Sequence, residues 1–214
     1  MRAVDPELQE SPVERWRALP DDERPGHFQA LGRAEAQELF FSLPTWDQAE
    51  LLEALPGPER RLWLRLLPPD DAADLIQHLP DEAREGYLAL VDDSVRREIT
   101  ALLAYAEDVA GGLMSPRFIR LRPEMTADEA IAYVRRQAPQ VDSFLYGYVL
   151  DGEQRLLGVA GFRDLFAATP GQRVRDFMRT EVVSVPESMD QEDVARLFEE
   201  RRLVAIPVVD DQGR

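Results

Sequence analysis

The chain reads as an α domain followed by an α/β domain: a superhelix of short stacked α-helices, then a pair of β-α-β-β-α repeats of which the second is incomplete. Three observations predict this. An apolar residue recurs every twelve positions from Leu19 to Val91. The pattern changes character across residues 105–116. Beyond them, strand-like and helix-like runs repeat after about sixty residues, the signature of two tandem modules.

The first period is carried by Leu19, Leu31, Leu43, Leu55, Leu67, Leu79 and Val91, with proline next at 20, 44, 56, 68 and 80 and glycine at 32. Proline disfavours helical backbone in the residue before it, so each Leu-Pro ends one helix and lets another begin. Seven and eight residues after each break stand Phe28, Leu39 and Phe40, Leu51 and Leu52, Trp63 and Leu64, Leu75 and Ile76, and Tyr87 and Leu88. Such spacings share one helical face. Helices of two to three turns are unstable alone, so 19–104 is expected to be a stack in which neighbours share a core. Residues 1–18 are expected to be loosely ordered apart from a turn near Trp16. Thr45 with Gln48 forms a candidate capping box, and Asp70 and Asp71 occupy a first helical turn. His27 falls in the core register and His78 precedes a Leu-Pro break; Trp16, Trp46 and Trp63 read as packing residues.

The stretch 105–116 is expected to be a hinge, with Gly111 and Gly112 adopting backbone angles closed to other residues and ending a helix that arrives from Val95. Residues 117–172 then form the first repeat: strand Phe118–Leu121, helix Met125–Gln137 behind a Thr126-x-x-Glu129 cap, strand Phe144–Leu150, turn Asp151-Gly152, strand Leu156–Ala160 and helix Phe162–Ala168. In residues 173–214, Phe177-Met178 echoes Leu113-Met114, Val182–Val185 echoes the first strand, Gln191–Glu200 the helix, and Ala205–Val209 with Asp210 the second strand and its turn. A third strand and closing helix have no counterpart before Arg214.

Composition narrows the function. Forty-one acidic against 25 basic residues give a formal charge of −16, which repels nucleic acid and attracts cations. With no cysteine there is neither a disulfide nor a thiolate metal site. No apolar run approaches the roughly eighteen residues of a membrane helix, and MRAVDPELQE lacks a signal peptide's apolar core, so the chain as it stands is expected to be soluble and unsecreted. Phosphate-cradling glycine loops, HExxH and nucleophile-elbow motifs are missing, and adjacent acids in so acidic a chain identify no general acid or base, so an enzyme is not expected.

The run Glu107, Asp108, Ala110, Gly111, Gly112, Leu113, Met114, followed by Ser115 and Pro116, resembles the junction of MgtE-type magnesium transporters. The strand-helix-strand-strand-helix repeat, with GVAGFRDLF closing its first copy, resembles a CBS-domain pair, and the order of parts matches that family along nearly the whole chain. The resemblance implies a cytoplasmic, homodimeric regulatory region that dimerises through its CBS domains, with a transmembrane pore domain following it. Mg2+ held between acids of the two domains would favour a compact, pore-closing state. It places metal ligands at Glu38, Asp70 and Asp74, at the Gly112 backbone, and at Asp190, Glu192 and Glu199, while Arg202 stands where the family can present an acid. It places an adenine-nucleotide site, for ATP or a relative, at Tyr146, Arg163 and Asp164. Helix termini and a solvated face explain Glu38 and Asp70 equally well, and strand packing explains Tyr146. Two other functions stay open: a CBS-type adenine-nucleotide sensor in a soluble protein, and a helical interaction scaffold similar to the middle domain of flagellar motor switch proteins.

Overall fold

In the computed structural model, which describes residues 11–141 and 145–214, the chain divides into two compact units between Arg97 and Glu98. The first contains α1 (Pro12–Ala18), α2 (Arg24–Ala30), α3 (Arg33–Ser42), α4 (Thr45–Ala54), α5 (Gly57–Leu64), α6 (Pro69–Gln77) and α7 (Asp81–Leu88); α8 (Asp93–Leu102) crosses the division. The punctuating residues serve twice. Leu43 and Leu55 cap α3 and α4 in extended backbone, and Leu43, Leu55, Leu67, Leu79 and Val91 are all buried. A residue that stops a helix thus also plugs the core beneath it. The eighth register position is buried at Phe28, Phe40, Leu52, Leu64 and Ile76. Phe28, Phe40 and Trp63 form an aromatic cluster with centroids 5.0 to 6.4 Å apart, and Trp16 meets Phe28 edge-on at 6.3 Å.

Several expectations need correction. Residues 12–18 form a helix behind a complete Ser11–Glu14 capping box, anchored by buried Trp16; residues 1–10 lie outside the described part. His27 is exposed because Phe28 takes the core position, His78 is exposed with its ring Nδ1 2.8 Å from the Asp74 carbonyl, and Trp46 is exposed. The Thr45–Gln48 box does not form: Pro44 takes the N-cap position, and the buried Gln48 donates to the Phe40 carbonyl at 2.7 Å.

That last bond belongs to a further element of the twelve-residue repeat. Arg60 donates to the carbonyls of Leu55 and Glu53, Arg84 to those of Leu79 and Gln77, and Arg96 to those of Leu88 and Val91. Arg24 reaches Trp16 and Arg17 in the same way. Positions 24, 48, 60, 84 and 96 stand at multiples of twelve, and the intervening 36 and 72 are buried alanines. Each long side chain adds a donor at the end of the preceding helix, where carbonyls run short of intrahelical N–H partners.

The second unit continues with α9 (Ala110–Leu113), β1 (Ile119–Leu121), α10 (Ala127–Gln137), β2 (Tyr146–Leu150), β3 (Leu156–Gly161), α11 (Phe162–Ala167), β4 (Val185–Pro186), α12 (Gln191–Arg201) and β5 (Val208–Val209). Both bonds of the Thr126–Glu129 box cap α10. The first module is a sheet in the order β1-β2-β3, parallel then antiparallel, over a core of Ile119, Leu121, Ala130, Val149, Ala160, Leu165 and Val174. Phe144, expected to begin β2, lies outside the described residues. In the second module only β4 and β5 pair, in parallel, and no residue of α12 is buried, although Val194, Leu197 and Phe198 are partly covered. Both strands are shorter than the sequence predicts.

The two modules interlock by exchanging arms. Ala110 N–H donates to the Met189 carbonyl and Gln191 N–H to that of Asp108, each at 2.8 Å. Reciprocally, Ala127 N–H donates to the Gln172 carbonyl and Val174 N–H to that of Met125, each at 2.8 Å. Residues 108–113 are therefore an arm of the second unit, fastened to its second module. Helix α8 ends at Leu102, well before the glycines, and among the described glycines only Gly171 and Gly213 have positive φ. Gly111 and Gly112 are required by close approach instead: a Cβ on Gly111 would lie 2.5 Å from the Tyr105 ring, and one on Gly112 would strike the Ala106 carbonyl oxygen.

Candidate functional site

Strand β2 starts with Tyr146, whose neighbour Gly147 lets Leu121 pack directly against the backbone. Strand β3 ends at Gly161, and α11 follows without a loop, bringing Arg163 and Asp164 into its first turn. These elements place Tyr146, Arg163 and Asp164 together on one cleft of about 500 Å3, whose wall also includes Gly161, Arg179 and Val204. The three residues that the resemblance assigned to a nucleotide thus share a cavity. Gly161 keeps the floor open, since a Cβ there would sit 3.2 Å from Asp164 Oδ2.

Arg179 is the residue that sequence reasoning missed. Its Cζ lies 5.7 Å from the Tyr146 ring centroid and its Nε 3.9 Å from Asp164 Oδ2. It precedes no helix and follows no motif; only the bridge of its backbone to Val159, with N–O distances of 2.8 and 2.9 Å, brings it to the cleft. The Met178-Arg179 step echoes Met114-Ser115, a signal that could have drawn attention to the position but not to the side chain's role. An aromatic face, a carboxylate and two guanidiniums can stack a planar ring, accept from hydroxyl groups and neutralise an anion. Among the described residues that line the cleft, no nucleophile stands beside a base.

The acids assigned to metal are differently disposed. Glu38 is exposed on α3, where its carbonyl accepts from the Ser42 hydroxyl at 2.7 Å. Asp70 and Asp74 are half-buried and four residues apart on α6, hence on one face. In the second unit, Asp190 caps α12 by accepting from Glu192 N–H at 2.8 Å, and Glu192 and Glu199 are exposed two turns apart on that helix. Arg202 ends α12 in left-handed backbone at φ 52°. Gly112 is buried in its arm. Among the described residues, no three His, Asp or Glu side chains gather as a metal cluster. Exposed carboxylates supplying one or two oxygens suit magnesium, a hard cation that keeps several of its waters.

Two tyrosines and two aspartates of this unit have displaced proton affinities. Tyr105 donates to Glu187 Oε2 at 2.8 Å, and that bond, with burial, raises its pKa. Burial raises that of Tyr148. Asp151 is held below the ordinary carboxylate range mainly by the Arg155 backbone N–H, and Asp210 by that of Arg214, so the two modules carry the same aspartate-centred loop.

Residues 11–108 match the MgtE intracellular N domain, and 106–171 with 174–214 match the CBS domain. The magnesium transporter MgtE of Thermus thermophilus is 44% identical over 125 residues, 58% of this chain and 28% of that protein. Its counterpart in Bacillus subtilis is 33% identical over 126 residues, 59% of this chain and 28% of that protein. The chain thus spans about a quarter of the length of these relatives. A crystal structure of the cytosolic domain of the Mg2+ channel MgtE in complex with ATP superposes with a TM-score of 0.86 at 38% identity, over 95% of this chain and 84% of that one.

Proposed function

Because the chain belongs to the MgtE family, as an intracellular N domain joined to CBS domains, we propose that it is the magnesium-sensing part of a magnesium transporter, working on the cytoplasmic side of the membrane. Family membership makes it a part of a transporter and not an enzyme. In this reading, Mg2+ shared between acids of the first unit (Glu38, Asp70, Asp74) and of the second (Asp190, Glu192, Glu199, with the Gly112 backbone) favours a compact state that closes a pore formed by membrane helices elsewhere in the protein. The observation that carries it is the union of these two domain types on a chain of charge −16, with its candidate oxygen ligands divided between the units. Sites sharing one or two carboxylates per unit are weak enough to follow cellular magnesium, and like-charge repulsion opens them when the ion leaves. Homodimerisation through the CBS domains belongs to the same proposal.

Titrating Mg2+ to millimolar concentration should raise the melting temperature and reduce the radius of gyration in solution scattering. Asp74→Asn with Glu192→Gln should blunt both responses. A response no larger than that to matched ionic strength would sink the magnesium reading.

A second ligand is favoured by the cleft, where Tyr146, Arg163 and Asp164 converge: we propose that it takes an adenine nucleotide, as the similar cytosolic domain solved with ATP does. Calorimetry with ATP tests this directly, and Asp164→Ala should abolish the heat of binding.

A further inference from the structure

The cleft already contains a cation. The Arg179 guanidinium stands over the Tyr146 ring at 5.7 Å and beside Asp164 at 3.9 Å, the two groups on which a nucleoside would stack its base and anchor its ribose hydroxyls. From this geometry we infer that Arg179 sets ligand specificity: it competes with a bare nucleoside and becomes a partner for one carrying phosphate. The inference rests on the nucleotide reading of the cleft.

Two features fit Arg179 for this exchange. Its backbone is clamped on both sides to Val159, and Gly158 permits that approach, since a Cβ there would lie 2.6 Å from the Arg179 carbonyl oxygen. Its side chain is 59% exposed, so the guanidinium can leave the ring while the backbone stays fixed. A nucleoside entering the cleft must displace the cation–π contact and the charge pair, and offers the displaced cation nothing in return. A nucleotide offers a phosphate, which a guanidinium binds through paired, charge-assisted hydrogen bonds. Arg163, on the same cleft, is exposed on α11.

The test is calorimetry of ATP, AMP and adenosine on the wild-type chain and on Arg179→Ala and Arg179→Lys, with thermal melting to show that the variants fold. The alanine variant should bind ATP about tenfold more weakly and adenosine about two- to fivefold more tightly. Lysine, which keeps the charge but not the planar fork, should fall between. Equal changes for ATP and adenosine, or none, would overturn the role of Arg179 and leave the nucleotide reading intact. No heat with any of the three ligands in any variant would overturn the nucleotide reading, and the inference with it.

Discussion

Both units of this chain are built by repetition, yet they solve the problem of unsatisfied backbone in opposite ways. In the helical unit the repeat is twelve residues long, and a side chain of one rung reaches the carbonyls of the rung before it, as Arg60 and Arg84 do. In the second unit the repeat is about five times longer, and backbone pairs with backbone across it, arm 108–110 with 189–191 and arm 172–174 with 125–127. Short repeats keep their partners within eight residues of chain, so damage stays local. Exchanged arms tie residues some forty-five to eighty positions apart, as Ala127 with Gln172 and Ala110 with Met189 illustrate. Damage to one arm is therefore felt in the other module.

The strongest test of this contrast lies in the cores. Phe40→Ala should destabilise the helical unit by about 3–5 kcal/mol in denaturant unfolding, with hydrogen exchange accelerated in α2 to α5. Next comes the arm: Gly111→Ala must push the Tyr105 ring aside and should cost about 1–3 kcal/mol. Arg175→Ala, at the equivalent place in the other arm where the side chain is exposed, should change stability by less than about 0.5 kcal/mol. If exchange then rises around α12 as well as within 105–113, the arms couple the modules; if it rises only in the arm, they do not. Arg84→Ala should follow at about 1–2 kcal/mol, its enhanced exchange confined to α6 and α7; spread along the whole ladder would contradict local capping.

Tyr105→Phe should cost about 0.5–1.5 kcal/mol and make its own pH signature disappear. Donation to Glu187 raises the Tyr105 pKa, so this contribution is complete below the ordinary tyrosine value of about 10 and is lost as pH rises through the folded value; the variant's alkaline melting profile should be flatter than the wild type's. The smallest effect is expected at the two aspartate loops. Asp151 and Asp210 have depressed pKa values, so their contribution is present above the ordinary carboxylate range and lost as pH falls through the folded value. Asp151→Asn should flatten the acid side of the stability profile alone, and Asp210→Asn should match it if the modules are equivalent there.

Much of this was legible in the residues. Leu-Pro steps and the seventh and eighth register positions carry their meaning locally, because a helix of 3.6 residues per turn buries a spacing that can be counted. Tyr146, Arg163 and Asp164 came from resemblance, and the cleft brings them together. The capping arginines stand at multiples of twelve in the sequence, yet nothing local marks their role, since a charged residue on a helix is ordinarily a solvated one. Gln48 is ambiguous for a related reason: its spacing from Thr45 fits a capping box, while its side chain instead serves the Phe40 carbonyl eight residues back.

By itself the sequence determined the order of elements, the two periods and the charge, because proline, register and composition act within a few residues of where they stand. Tertiary structure alone decided the rest. It decided that Gly111 and Gly112 are glycines for lack of room beside Tyr105 and Ala106, not for unusual backbone angles. It made the stretch around them an arm laid on the second module. And it brought Arg179 into the cleft, through a pairing with Val159 that no local rule announces. Contacts between residues far apart in the chain depend on which backbones lie side by side, and that is settled only when the whole unit closes.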